Sequence, residues 1–191
     1  MKKSLIVLVA LVMGAFQYAQ AQYVQGRPAT EYMFKIEAGY IPFVTNIFEK
    51  AESGYILANQ EHAAGLNIMN GWNISQDFFL GFGVGYACLS PLNDFSKMSH
   101  NALAFVDFDF RPLQDEFAPM IGARIGGSAM IPTGEHEFTL GPYAEVYGGL
   151  NWYYRHRYSN MERNYHSWYV ELGVAYMYRT ILLPIRIGWR L

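Results

Sequence analysis

Apolar and non-apolar residues alternate along this chain in eight separate segments. Over residues 32–42, Phe34, Ile36, Ala38 and Tyr40 fall on one face, and Met33, Lys35, Glu37 and Gly39 on the other. A side-chain period of two is the signature of a β-strand with two different environments. The same reading predicts strands at 66–73, 79–88, 101–111, 121–128, 140–151, 168–178 and 181–191. The fourth is the clearest, with Ala102, Ala104, Val106, Phe108 and Phe110 opposing Asn101, Asp107, Asp109 and Arg111.

The ionised residues of these segments are Lys35, Arg111, Arg124, Arg186 and Arg190, with Glu37, Asp107, Asp109, Glu145 and Glu171, and all ten lie on the non-apolar face. Five charges of each sign balance, and four of the five cations are Arg. Arg suits paired, partly buried carboxylates, whereas a face washed by solvent has no need of such matching. The pattern points to a shared interior. An eight-stranded barrel has a lumen just wide enough to be filled by side chains, and Gly81, Gly83, Gly85, Gly122, Gly126, Gly173 and Gly188 on this face leave room for long ones. The expectation is an ionic lumen salt-bridge cluster made of those ten residues, not an aqueous pore.

The other face carries no charge in any of the eight segments. A charge there at the midplane of a bilayer would cost about 2 to 4 kcal/mol. Tyr40, Trp72, Tyr86, Phe110, Trp168, Tyr178 and Trp189 stand near strand ends on it, where interfacial aromatic girdles sit. The expected fold is therefore all-β, an eight-stranded antiparallel transmembrane barrel with an up-and-down meander. Alternation alone does not distinguish this from a soluble lipocalin-like barrel turned the other way. Low charge, 16% of residues against roughly a quarter in ordinary soluble domains, favours the membrane.

The amino terminus reads as a secretory signal over residues 1–21: Lys2 and Lys3, an apolar run over 5–16, and Ala19-Gln20-Ala21 before the cleavage point. The apolar run is shorter than the roughly 20 residues that span a bilayer. Residues 22–191 then form one barrel domain. Beyond the signal no apolar run is long enough for a transmembrane helix, which leaves a closed barrel as the route across a membrane. Without Lys2 and Lys3 the formal net charge moves from -2 to -4, with no basic footprint for nucleic acid. The single cysteine, Cys88, excludes an internal disulfide framework and any multi-cysteine zinc site.

Short polar connections at 75–77 and 113–116 read as periplasmic turns, and 45–60 and 90–100 as extracellular loops. The length of 153–166 and the tightness of Arg179-Thr180 disturb that alternation.

With Phe79-Leu80-Gly81-Phe82-Gly83-Val84-Gly85-Tyr86, Phe105-Val106-Asp107-Phe108-Asp109-Phe110-Arg111 and the closing Pro184-Ile185-Arg186-Ile187-Gly188-Trp189-Arg190-Leu191, the chain resembles the small OmpA/OmpX-type outer-membrane β-barrel family. The likeness is greatest to the signal-plus-barrel proteins of the Bacteroidota. It implies a monomer in the outer membrane of a Gram-negative cell, in contact with outer-membrane lipid and delivered to the barrel-assembly machinery by its last strand. That family usually ends in an aromatic residue, and this chain ends in Leu191. The resemblance brings no catalytic residue, cofactor or metal, and implies a structural or surface-interaction role.

One enzymatic alternative attaches to it, because lipid A deacylases of this architecture use a His and a Ser two positions apart. His156 and Ser159 are three apart and His166 and Ser167 adjacent, so either pair points to opposite faces of a regular strand. Glu135-His136-Glu137 reads as a polar loop tip rather than a metal site, and Cys88 as a small apolar residue on the lipid face.

Overall fold

The computed structural model describes residues 31–42, 44–46, 62–75, 77–90, 98–111, 117–131, 138–153 and 167–191. The signal assigned to residues 1–21 lies outside them. The strands are β1 (Glu31–Ile41), β2 (Val44–Asn46), β3 (His62–Asn73), β4 (Phe78–Ser90), β5 (Ser99–Phe110), β6 (Phe117–Ile131), β7 (Thr139–Tyr153), β8 (Ser167–Met177), β9 (Thr180–Leu182) and β10 (Ile185–Arg190). Each predicted segment is present, most of them longer than the alternation alone suggested. Neighbours in sequence pair antiparallel throughout, and β10 pairs with β1 to close the sheet on itself.

The ten strands make eight staves, because the first and last are each interrupted. Strand β10 meets β1 from Lys35↔Arg190 to Tyr40↔Ile185, and β2 meets β9 from Val44↔Leu182 to Asn46↔Thr180. The register shifts by one residue between these two ladders, across Pro42 and Pro184. Neither proline has an N–H to give to a ladder. On its other side the last stave keeps its register past the break, and the Gly173 N–H donates to the Pro184 carbonyl at 2.9 Å. Both predicted loops shorten: Thr45 belongs to β2, and Ser90, Ser99 and His100 belong to β4 and β5.

Connections alternate between the two rims. Residues 47–61, 91–98, 132–138 and 178–179 leave from the far rim, and 74–77, 111–116 and 154–166 from the rim where Glu31 and Leu191 lie. The irregularity noticed in the sequence is thus a property of the chain, since β7 and β8 pair from Tyr143↔Met177 to Tyr153↔Ser167. At the far rim, Tyr178 and Arg179 have φ of 49° and 62°. Two positive φ values in a two-residue hairpin are those of a type I′ turn, whose hand matches the twist of the strands it joins.

That turn corrects one aromatic assignment. Tyr178 is not in the outward girdle; it is buried at 6% exposure, packs over Gly141, and its hydroxyl donates to the Thr139 carbonyl at 3.2 Å. Strand alternation ends at Met177, so the face that parity would give Tyr178 no longer applies. The other expected girdle residues point outward: Tyr40, Trp72, Tyr86, Trp168 and Trp189 are exposed, and Phe110 half-buried. Tyr32, Phe117 and Trp152 join them at the terminal rim, with Tyr32 edge-on to Trp72, Phe117 edge-on to Trp152, and Trp168 stacked on Trp189 at 5.4 Å. Between the rims the outer wall is apolar, with Phe82, Val84, Ile121, Ile125, Val146, Leu172 and Ile187 all more than half exposed.

Candidate functional site

The inward faces build a lumen in two zones. Toward the far rim it is apolar, packed by Ile41, Leu89, Leu103, Phe105, Met130, Tyr143, Met177, Tyr178 and Leu182. Sequence reading anticipated charge there but not this apolar plug. Toward the terminal rim the lumen is ionic. All ten of the charged residues singled out above are inside and buried, the most exposed being Arg186 at 7%.

These ten form one connected network. Arg124 is its centre, reaching Glu37 at 2.6 Å, Glu171 at 2.9 Å, Asp107 at 3.2 Å and Glu145 at 3.4 Å. Arg186 bonds Glu145 and lies 3.1 Å from Glu171. Lys35 reaches Asp107 at 2.7 Å and also bonds Asp109. Arg190 and Arg111 complete the Asp109 shell at 2.9 and 3.0 Å. A buried charge is tolerable only when paired and hydrogen-bonded. Here every carboxylate has at least one cation within bonding distance.

Neutral groups that the sequence reading did not single out finish the job. Tyr147 Oη donates to Asp107 at 2.7 Å, Tyr169 Oη to Glu37 at 2.6 Å, and Tyr143 Oη to Glu145. Asn67 donates to Glu37, while the Asn73 and Asn151 side-chain carbonyls accept from Arg111 and Arg190 at 2.6 Å each. The signal for them was parity: each stands on the same strand face as the charges. Two of the tyrosines are held alike. Tyr147 is the cross-strand partner of Gly122 and Tyr169 of Gly188, and a Cβ on either glycine would fall 2.2 Å from the ring. The ring lies flat over the glycine, and the arginine two residues on, Arg124 or Arg190, stacks 4.4 Å above its centroid. The glycines thus seat rings, beyond making room for long chains.

Beneath the apolar plug, a space of about 20 Å³ touches Asn67, Tyr143 and Arg186, room for a single water. The apolar wall faces outward and the charges inward, the reverse of the soluble lipocalin-like alternative. Of the enzymatic candidates, His156, Ser159 and His166 lie outside the described residues, as do Glu135, His136 and Glu137. Ser167 is buried and donates to Asn151 at 3.0 Å, a structural role. Among the described residues no three His, Cys, Asp or Glu side chains are grouped as metal ligands, and no helix is long and apolar enough to cross a membrane.

No protein-family model matches the sequence, and no curated protein does. Solved structures do. The crystal structure of neisserial surface protein A aligns with a TM-score of 0.57 at 14% identity, over 86% of this chain and 99% of that one. The N-terminal β-barrel domain of Pseudomonas aeruginosa OprF gives 0.47 at 12% identity over 83% and 97%, and Ail, the attachment invasion locus protein of Yersinia pestis, gives 0.46 at 12% over 86% and 100%. The first of these likenesses, taken with the closed eight-stave sheet, shows that this chain has the fold of a small outer-membrane β-barrel.

Proposed function

We propose that the protein is an exported, monomeric integral protein of the outer membrane, of the signal-plus-barrel kind found in the Bacteroidota. Its role is structural or one of surface contact, without catalysis. The observation that carries this reading is the combination of an outer wall that is apolar between two aromatic rims with an interior closed by a charge-balanced network. Such a wall is stable only against lipid. A filled lumen leaves the far-rim connections, 47–61 and 91–98 above all, as the parts that can meet partners outside the cell. The last strand, ending in Trp189-Arg190-Leu191, is the segment offered to the barrel-assembly machinery.

Extraction from isolated membranes tests the location. The protein should resist a high-urea wash and be released by mild detergent; recovery in the soluble periplasmic fraction would overturn the proposal. An epitope inserted in 47–61 tests the role. It should be bound by antibody on intact cells, and detection only after permeabilisation would sink the surface-contact reading.

A further inference from the structure

Outside the lumen, one cluster of reactive side chains stands on the outward face near the far rim. Cys88 on β4 is directly opposite His100 on β5. Met98 precedes His100 by two residues, and the period of a strand returns its side chain to the same face. Cys88 Sγ and Met98 Sδ are 3.7 Å apart. His100 Nδ1 is hydrogen-bonded to the Tyr86 hydroxyl, and the two rings are stacked at 5.9 Å. Cys88, Met98 and His100 are all half-buried, so each is partly open at the surface.

A thiolate, a thioether and an imidazole are soft donors, the set that selects Cu(I)-like ions over hard divalent cations. Two sulfurs bound at about 2.3 Å to one tetrahedral metal lie about 3.8 Å apart. The 3.7 Å separation of Cys88 Sγ and Met98 Sδ already matches that edge. The histidine is also prepared. A metal-bound imidazole donates its second N–H to an acceptor that fixes the tautomer; the Tyr86 oxygen at Nδ1 fills that place, so that a metal held by His100 would bind through Nε2.

We propose that Cys88, Met98 and His100 bind one soft monovalent cation of the Cu(I) or Ag(I) class, with Tyr86 as the positioning residue for His100. Binding exchanges the thiol proton, released to solvent, for the metal; no electron is transferred. The absence of a third His, Cys, Asp or Glu among the described residues of this cluster fits a sulfur-rich site and not a zinc or calcium site.

The test uses the full-length barrel in detergent, titrated with Cu(I) anaerobically against bicinchoninate, with Ag(I) as the redox-inert control. One ion per chain should bind, with an ultraviolet thiolate-to-metal charge-transfer band. Cys88→Ser should weaken binding at least about 100-fold, and Met98→Leu, His100→Phe and Tyr86→Phe each about 10-fold, the range typical of lost ligands and their supports. Unchanged urea midpoints for the variants show that the barrel is intact, since all four side chains lie outside the lumen. Wild-type affinity in both Met98→Leu and His100→Phe would reduce the site to a lone thiol and overturn the proposal. Failure of the wild-type chain to take Cu(I) from the competitor would also overturn it.

Discussion

The lumen uses one small unit twice, and it gives two of the strand glycines and two of the tyrosines a shared purpose. In Gly122-Ala123-Arg124 and Gly188-Trp189-Arg190 the glycine lies beneath a cross-strand tyrosine, and the arginine covers the ring from above. The hydroxyl of that tyrosine then reaches a carboxylate on a third strand, Asp107 or Glu37. A ring seated on a strand glycine protects the backbone there and fixes the ring at a defined height. Gly188→Ala should therefore unseat Tyr169, leaving Glu37 short of a donor and Arg190 without its stacking surface. We expect a loss of about 1–3 kcal/mol in urea unfolding, the cost of a buried polar group left unsatisfied. Gly127→Ala is the control: its Cβ would meet nothing closer than 3.7 Å, and its unfolding free energy should stay within about 0.5 kcal/mol of wild type. The ten charges were legible in the sequence because parity alone assigns a face to an ionised group. Parity also puts Tyr143, Tyr147 and Tyr169 on that face, but their bonds to Glu145, Asp107 and Glu37 were not legible, because alternation fixes the face of a ring and not the carboxylate that its hydroxyl reaches.

Among the strands, the seam between the first and last staves differs from the rest. Ladder β1–β10 pairs six residues before the shift at Pro42 and Pro184, whereas β1–β3 pairs eleven and β6–β7 fourteen. Fewer ladder bonds and two positions without a donor make this the place where the sheet opens at least cost. Amide hydrogen exchange in micelles should find Ile185, Ile187 and Trp189, whose N–H groups face β1, exchanging at least about tenfold faster than Ile121 to Ile125 in β6. Equal protection would mean that the shift at the prolines does not weaken closure. The staves themselves were readable from alternation, yet their breaks were not. Pro42 reads as a strand end until β2 is seen to continue the stave, and Pro184 sits within an alternation that runs through it undisturbed. Tyr178 was misread for a related reason: a type I′ turn usually carries Gly or Asn, and Tyr178-Arg179 has neither.

For the molecule as a whole, the network works as a closure device, because its partners are far apart in sequence. Arg124 on β6 touches carboxylates on β1, β5, β7 and β8, and its bond to Glu37 spans 87 positions. Asp107 and Glu145 are the cross-strand neighbours of Arg124 in β5 and β7, whereas its bonds to Glu37 on β1 and Glu171 on β8 reach across the lumen to strands that do not adjoin β6, so the full pairing is made only when the barrel is shut. Removing one partner from such a cluster leaves a buried charge uncompensated, at about 3–5 kcal/mol. Arg124→Leu should lower the unfolding free energy by that amount, read as a lower urea midpoint at unchanged slope, while Arg179→Leu, in the exposed turn, should change it by less than about 0.5 kcal/mol. Adding Glu37→Gln to Arg124→Leu restores the balance of four cations and four anions among the ten positions. If charge balance governs the interior, the double variant should be more stable than the sum of the two single losses by about 0.5–3 kcal/mol. Both Arg124 and Glu37 are shielded from solvent, with side-chain exposure of 0%. Raising the salt concentration should therefore leave that coupling nearly unchanged, where a surface pair would be screened away. A coupling that vanished in high salt would place these side chains in water and contradict the filled lumen.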